Sequence, residues 1–515
     1  MLKKIQIEID LDYINDCEFI KSKILNNINR NQSFKIIKKS IDSRKKTPKY
    51  VLTVEIFDKE IKFERSYSFK YQDVSSKKRV IIIGAGPAGY FAALELIELG
   101  IKPIIIERGK DIKNRRKNIK DIYKQGLINP DSNYCFGEGG AGAYSDGKLF
   151  TRSTKRGDIN KFLKQLVFFG ASNEILIDSN PHIGSNKLPK IIANIRNTIL
   201  SCGGEIHFNS KVNGFIIKNN VLKSVSIEDK DEVYADAVIL ACGHSARDIF
   251  NIFLKNKILI EPKPFALGVR IEHPQELIDK IQYHHFPRHK NLPAASYRLN
   301  CQVNGRGVYS FCMCPGGMII PASTAPNELV LNGMSLHKRA SSYANSGIVT
   351  EIRLDDIAQN YQKYGPLAFL KFQESIEKNI FNSISDGSQK APGQRITDFI
   401  KGKISSSIPK SSYLPGIKSL RIDKLLPDFI ASSLKSAFIE FDKKKRGFIT
   451  DEAIVLAVES RTSSPIKIPR DSKTLMHPQI KNLFPCGEGA GYAGGISSSA
   501  MDGQVIAQTI FNLIN

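Results

Sequence analysis

Gly84, Gly86 and Gly89 stand at the spacing Gly-x-Gly-x-x-Gly within VIIIGAGPAG, and Glu107 follows Gly89 by 18 residues. That set is suited to gripping a dinucleotide. Gly84 permits a tight turn out of a strand, Gly86 lets the backbone approach a pyrophosphate, and Gly89 lets the next helix lie close to that strand. Pro87 and Ala88 carry the chain into the helix, whose free N–H groups and positive dipole end favour phosphate. Glu107 is placed to accept hydrogen bonds from ribose hydroxyls. Glycines set for packing alone would explain the turn but not the acid.

The elements that must hold these residues are legible beside them. Val80–Ile83 is a buried strand, Ala88–Leu99 an amphipathic helix stopped by Gly100, and IKPIIIE a second buried strand ending on Glu107. The same glycine spacing recurs at Gly137, Gly139, Gly142 and at Gly489, Gly491, Gly494. Neither copy is a complete unit: NYC is no strand before the first, and only 21 residues follow the second. One nucleotide is therefore expected, with the later glycines touching another part of it.

The chain has 515 residues, enough for two or three domains and a large buried cofactor. Its formal charge of +24 is compatible with nucleic acid or anionic membrane, but lysines are spread throughout among abundant Ile and Asn. KKSIDSRKKTPK, residues 38–49, is the one dense cluster, and nucleic acid is not the partner expected. Eight cysteines without a charged-then-apolar leader argue for a reducing, cytoplasmic setting. No apolar run approaches the ~20 residues of a membrane span.

IQIEIDL, a helix to about residue 31, and the strands FKIIKKSI, YVLTVEIF and EIKFERSYSF make residues 1–75 a small α+β domain, with YQDVSSKKR as its linker. Farther on, LPKIIANIRNTILSCGGEIHFN reads as a helix and strand. KVNGFIIKN, VLKSVSIED and EVYADAV form a meander that leads into VILACGHSA. The chain ends on a short strand, an acid in a glycine loop, and a helix. An NAD-only domain needs neither meander nor terminal loop, so FAD is the expected cofactor.

These pieces, in this order, resemble the FAD domain of the glutathione-reductase type. YCFGEGGAGAYSDGKL, PHIGSNKLPK, LACGHSARD, KPFALGVRIEHPQELID, FCMCPGG and CGEGAGYAGG further resemble a widespread bacterial family of uncharacterised FAD-dependent dehydrogenases, from about residue 35 to the end. The resemblance implies an α/β, Rossmann-like FAD-binding domain at 76–260 and 451–515. An α+β cap or substrate domain is inserted at 261–450, and the small domain lies in front. It also implies that Gly84, Gly86, Gly89, Glu107, Arg108, Gly139, Gly140, Gly142, Ala241, Gly243, Gly487, Glu488, Gly495 and Ile496 contact or shape the FAD site. Glu488 would hold the ribityl or pyrophosphate part, and the last helix would point its positive end at the flavin pyrimidine edge. Tyr134-Cys135 and Cys242 depart from the family's pattern.

For the reaction itself, Lys148 is placed to meet flavin N5 or an anionic substrate, or else is a solvated turn residue. His273, beside Arg270 and Glu272, could move a proton near neutrality, or be a satisfied strand-end histidine before Pro274. Cys312 and Cys314 in FCMCPGG put two thiols one pleat apart; they could shuttle electrons, begin a metal site, or be buried and inert. No metal is expected, and the histidines of YHHFPRH read as part of a basic loop. With one fingerprint, NAD(P)H or another donor would dock only transiently.

The function expected is hydride transfer between FAD and a small organic substrate under the cap. Alternatives are an RNA-associated flavoprotein using the basic front domain, or a flavin-holding protein without turnover. Too few aromatics flank KKSIDSRKKTPK for base stacking.

Overall fold

In the computed structural model, which describes residues 3–28, 32–58, 67–151, 157–230, 232–357 and 359–514, the apolar run near residue 80 becomes the middle of five parallel strands. In the first 58 residues, β1 (Lys3–Ile9), α1 (Cys17–Leu25), β2 (Ser33–Asp42) and β3 (Lys49–Phe57) form an antiparallel sheet in the order β1-β3-β2. The strand expected at EIKFERSYSF falls mostly outside the described residues. The central unit continues with β4 (Arg79–Ile83), α2 (Pro87–Glu98), β5 (Lys102–Ile106) and α3 (Ile112–Gln125). After α4 (Ile159–Phe168), α5 (Leu188–Ser201) leads to β6 (Glu205–His207).

A three-stranded meander, β7 (Val212–Lys218), β8 (Val221–Ile227) and β9 (Val233–Tyr234), then returns the chain to β10 (Ala237–Leu240), followed by α6 (Arg247–Lys255). Strand Leu483–Pro485 completes the parallel sheet on the far side of β10, which pairs with β4, then β5, then β6. Ile82 faces Ile105 and Ile239 across the ladders. The strands are apolar throughout because both faces are covered. α2, α5 and the C-terminal helix (Ile496–Ile514) pack on one face, the meander and α6 on the other.

The segment expected to form the cap holds a seven-stranded sheet in the order 300–303, 306–314, 343–352, 265–274, 454–459, 391–395, 417–419. One expectation shifts here. Strand Ile454–Glu459, assigned from sequence to the returning cofactor domain, pairs with Phe265–Pro274 and Ala391–Arg395 inside the cap. Its residues IVLAVE are buried on both faces, so the period-two signal that would assign it to a sheet is missing. The front domain is likewise no free module: Ile7, Ile9, Leu52 and Val54 share one core with Leu267, Val269 and Ile348 of the cap. Nor is YQDVSSKKR a loose tether, since Val74 is fully buried and donates its N–H to Cys202.

A buried ion network fastens cap to cofactor domain. Arg247 at the start of α6 reaches Glu328 at 2.5 Å and Glu377 at 2.6 Å, while Arg461 binds Glu377 at 2.9 Å and Ser245 at 3.0 Å. Burial would push Glu377 up, but the two arginines outweigh it and hold its carboxyl at about 2. Among the described residues no helix is long and apolar enough to cross a membrane.

Candidate functional site

Gly84 leaves β4 at φ +109°, a conformation that L side chains rarely adopt, and a methyl group there would stand 2.5 Å from the Ala241 carbonyl oxygen. Ala241, past the end of β10, donates its N–H to Ile83, so β4 and β10 converge where the turn begins. Gly86 caps α2, and a methyl on Gly89 would run into the Gly84 carbonyl. The first N–H groups of α2 therefore end at an open turn without intrahelical acceptors.

Glu107 is fixed by three backbone donors: Ala85 N–H reaches Oε2 at 2.8 Å, and Gly109 and Gly137 reach Oε1 at 2.9 Å. A carboxylate has about four lone-pair sites, so one remains for a sugar hydroxyl. Glu107→Gln puts an NH2 group where a backbone N–H points, at a cost of about 1–3 kcal/mol, or roughly 10- to 100-fold in FAD affinity. Flavin retained after ultrafiltration at graded FAD concentrations measures it. Arg108, next in sequence, sits over the Phe136 ring at 4.3 Å and pairs with Asp131 and Asp248.

The glycine loop 133–142 is organised from α3 by a residue the sequence reading passed over. Arg115 is completely buried and donates to five backbone carbonyls, those of Asn133, Tyr134, Gly137, Glu138 and Gly140, at 2.7 to 3.2 Å. Glu138 accepts from Tyr90, Ile112 N–H and Arg196, tying the loop to α2, α3 and α5. Gly139 donates to the Ala85 carbonyl, and a methyl on Gly140 would stand 3.1 Å from Gly86 Cα. Farther on, a methyl on Gly142 would stand 3.0 Å from Ile496.

The chain end supplies the other wall. Gly487, at φ +71°, packs on Ala88, and its N–H is held by buried Asp502, itself gripped by Arg470 at 2.6 Å. Glu488 lies 3.3 Å from His244, beside Gly243. Nothing stands within 4 Å of where a side chain on Gly495 would begin, so the N-terminus of helix Ile496–Ile514 meets open space.

These parts enclose a cleft of about 750 Å³. Gly84, Gly86, Pro87, Ala88, Glu107 and Arg108 line it from the first half; Gly140, Gly142 and Lys148 from the loop; Ala241, Gly243, Glu488, Gly495 and Ile496 from the later segments. Gly89, Gly139 and Gly487 stand behind this lining and shape it. From the cap come Arg298, Phe311, Cys312, Ala322, Asn332, Arg461 and Thr462. Arg461, Asp502, Arg470 and Arg115 were invisible to pattern reasoning because their partners are distant in sequence.

Lys148 Nζ lies 4.0 Å from Cys312 Sγ and 3.9 Å from Cys314 Sγ, and 3.8 Å from Asp146. Burial presses the ammonium down, but the thiols and Asp146 outweigh it and hold its pKa above the lysine value. Cys314 is buried and does not line the cleft; Cys312 does. The two do not sit on a regular strand: Cys312 has φ +45° and the register slips between Phe311 and Cys314. Among the described residues no group of three His, Cys, Asp or Glu is gathered as a metal would need.

His273 is the one catalytic candidate placed elsewhere, which corrects that expectation. It alternates with Arg270 and Glu272 along strand Phe265–Pro274, so its ring points to the opposite face, fully buried against Phe448 at 4.5 Å. Its Nε2 donates to the Phe448 carbonyl at 2.8 Å. Burial lowers its pKa from 6.5 to about 4. Because the folded-state value lies below the ordinary one, the stability it contributes is complete above pH 6.5 and is lost as pH falls toward 4, on the order of 3 kcal/mol. His273→Gln, which still donates to Phe448, is expected to flatten this part of the acid-unfolding curve followed by circular dichroism.

The chain is 39% identical, over 98% of its own length and 97% of the other's, to an uncharacterised protein of Clostridium beijerinckii. Residues 264–462 match the family described as FAD-dependent protein, C-terminal domain-like; residues 77–118 match the FAD binding domain, and residues 1–57 a domain of unknown function. Among solved structures it is similar to CtdE in complex with FAD, at 13% identity over 84% of each chain and a TM-score of 0.32. It is also similar to a geranylgeranyl bacteriochlorophyll reductase-like protein of Thermoplasma acidophilum, at 14% identity over 85% of this chain and 79% of that one, TM-score 0.32. A variant of halogenase PltM in complex with FAD matches at 10% identity over 85% and 70%, TM-score 0.39.

Proposed function

This chain belongs to the family of the Clostridium beijerinckii protein and carries an FAD-binding domain, and from that premise we propose that it is an FAD-dependent oxidoreductase moving a hydride between FAD and a small organic molecule under the cap. The observation that carries this reading is one continuous cleft whose first wall is the nucleotide turn and whose last wall is cap. Its volume falls within the range of about 300–1,000 Å³ usual for cofactor and ligand sites.

FAD, when bound, supplies two-electron acceptor chemistry. The residues of this chain do the rest. The N-terminus of α2 would hold the pyrophosphate, Glu107 the ribose, and Glu488 with His244 the linking chain. The positive end of helix Ile496–Ile514 opens on the cleft and would favour negative charge on the flavin pyrimidine edge. Lys148 lines the same cleft beyond Gly140 to Gly142, where the loop passes Ile496, and would stand beside the reacting ring of a bound flavin. A meander crossover and a terminal strand on the far side of β10 support assignment to the glutathione-reductase type of FAD domain. A reduced nicotinamide is proposed only as a transient donor.

The test is direct. Purified protein should be yellow and release FAD on denaturation, and the bound flavin should bleach anaerobically with NADH, NADPH or a member of a metabolite panel. Correctly folded protein that stays colourless in added FAD would overturn the reading.

A further inference from the structure

The cap wall of the cleft holds an arrangement that flavin binding alone does not require. Cys312 and Cys314 are drawn to one side by the bulge, and a single ammonium, Lys148, lies within 4.0 Å of both sulfurs. Arg270, completely buried, donates to the Cys312 carbonyl at 2.8 Å and lies 3.7 Å from Cys314 Sγ. Behind Arg270 stands Glu459 at 2.8 Å, and Asp146 is held from the other side by Arg339. Two thiols between two cations, one thiol open to the cofactor cleft, form an electropositive, partly exposed environment of the kind that makes cysteine reactive.

We infer that Cys312 and Cys314 are a redox pair that exchanges two electrons with the flavin, and that the substrate at the cap wall is a thiol or its disulfide. The inference rests on the FAD reading above. Cys312 is the attacking sulfur and Cys314 its partner. The Cys314 thiol hydrogen-bonded to it, together with Lys148 and Arg270, holds Cys312 well below the usual thiol range against the opposing effect of burial and Asp146, while Cys314 is pushed well above it. Cys242, which also lines the cleft, is pushed up to about 12 by burial and Asp248 despite the pull of Arg108. Burial similarly lifts Glu459 to about 7 against the pull of Arg270, with Cys312 adding to the rise.

The step balances within the site. The Cys312 thiolate and the Cys314 thiol join in a disulfide, releasing two electrons and one proton, all three of which a bound oxidised flavin would accept. A substrate thiol gives up its proton and attacks the exposed Cys312 sulfur as the thiolate, and Cys314 leaves and takes up that proton. A second substrate thiolate displaces Cys312 from the mixed disulfide, which yields the substrate disulfide, the Cys312 thiolate and one free proton. With a disulfide substrate the same bonds form and break in reverse.

The holoprotein is oxidised, freed of small thiols, and titrated anaerobically with dithionite, with Cys312→Ser and Cys314→Ser in parallel. Wild type should consume about twice the reducing equivalents per flavin of either variant, because the disulfide is a second two-electron site. Cys314→Ser should also show long-wavelength charge-transfer absorbance from the Cys312 thiolate against oxidised flavin, absent in Cys312→Ser. Peptide mapping of unreduced wild type should recover the Cys312–Cys314 disulfide. Equal titration of all three yellow proteins, with no such absorbance, overturns this inference and leaves the FAD reading standing. A folded protein that takes up no flavin overturns both.

Discussion

Arg115→Ala should abolish FAD retention and leave the protein insoluble or strongly heat-labile. The guanidinium is the hub of residues 133–140: its five carbonyl contacts take the place that secondary structure fills elsewhere. Charge-assisted hydrogen bonds contribute more than neutral ones, and removing the donor strands buried carbonyls without water. A loss on the order of 5 kcal/mol follows, comparable with the whole stability of a marginal domain. Arg115→Lys keeps the charge but offers a compact point donor in place of a planar fork, so it should fail in the same direction by a smaller margin. Arg116→Ala, one position along and exposed, should change stability by no more than about 0.5 kcal/mol. Melting temperature and flavin absorbance per polypeptide measure both quantities.

Gly84→Val should leave no measurable FAD binding in a protein whose cap remains folded. Two independent costs coincide at this position. The φ of +109° is strained for any residue with a Cβ, and more so for a β-branched one, at about 1–2 kcal/mol. The Cβ would also meet the Ala241 carbonyl at 2.5 Å, a backbone atom pinned by the Ala241-to-Ile83 hydrogen bond that cannot swing aside. Relief requires β10 to part from β4, which displaces the Ala241–Gly243 segment from the cleft. At about 1.4 kcal/mol per tenfold, a combined 3 kcal/mol or more lowers affinity by over roughly 100-fold. Gly84→Ala should fall between it and wild type. Circular dichroism together with equilibrium dialysis against FAD separates lost binding from lost folding.

The two predictions fall on residues of very different legibility. Gly84 and Glu107 declared themselves because the turn, helix and strand that use them are contiguous, and steric need is written in the residue type. The parallel strands were equally plain, since burial on both faces leaves uninterrupted Val and Ile. Arg115 could not be singled out: it sits in NRRKNIK beside Arg116 and Lys117, and only the folded loop distinguishes the inward guanidinium from its neighbours. Residues 454–459 were not legible as part of the cap, because a fully buried run carries no sign of which sheet it joins. His273 shows the reverse case, where a reactive residue type was visible and strand alternation turned it away from the cleft. The FCMC pattern was readable as two thiols; what makes them reactive arrives on Lys148, 164 residues earlier.

The network of Arg247, Arg461, Glu328 and Glu377 bears on how molecules come and go. Glu328, Glu377 and Arg461 are buried, so prising the layers apart would leave opposite charges without their partners. The network thus favours pocket and cover staying joined over their parting as a hinged pair. Molecules bound for the ring are then expected to enter through the mouth of the cleft rather than by separation of whole lobes.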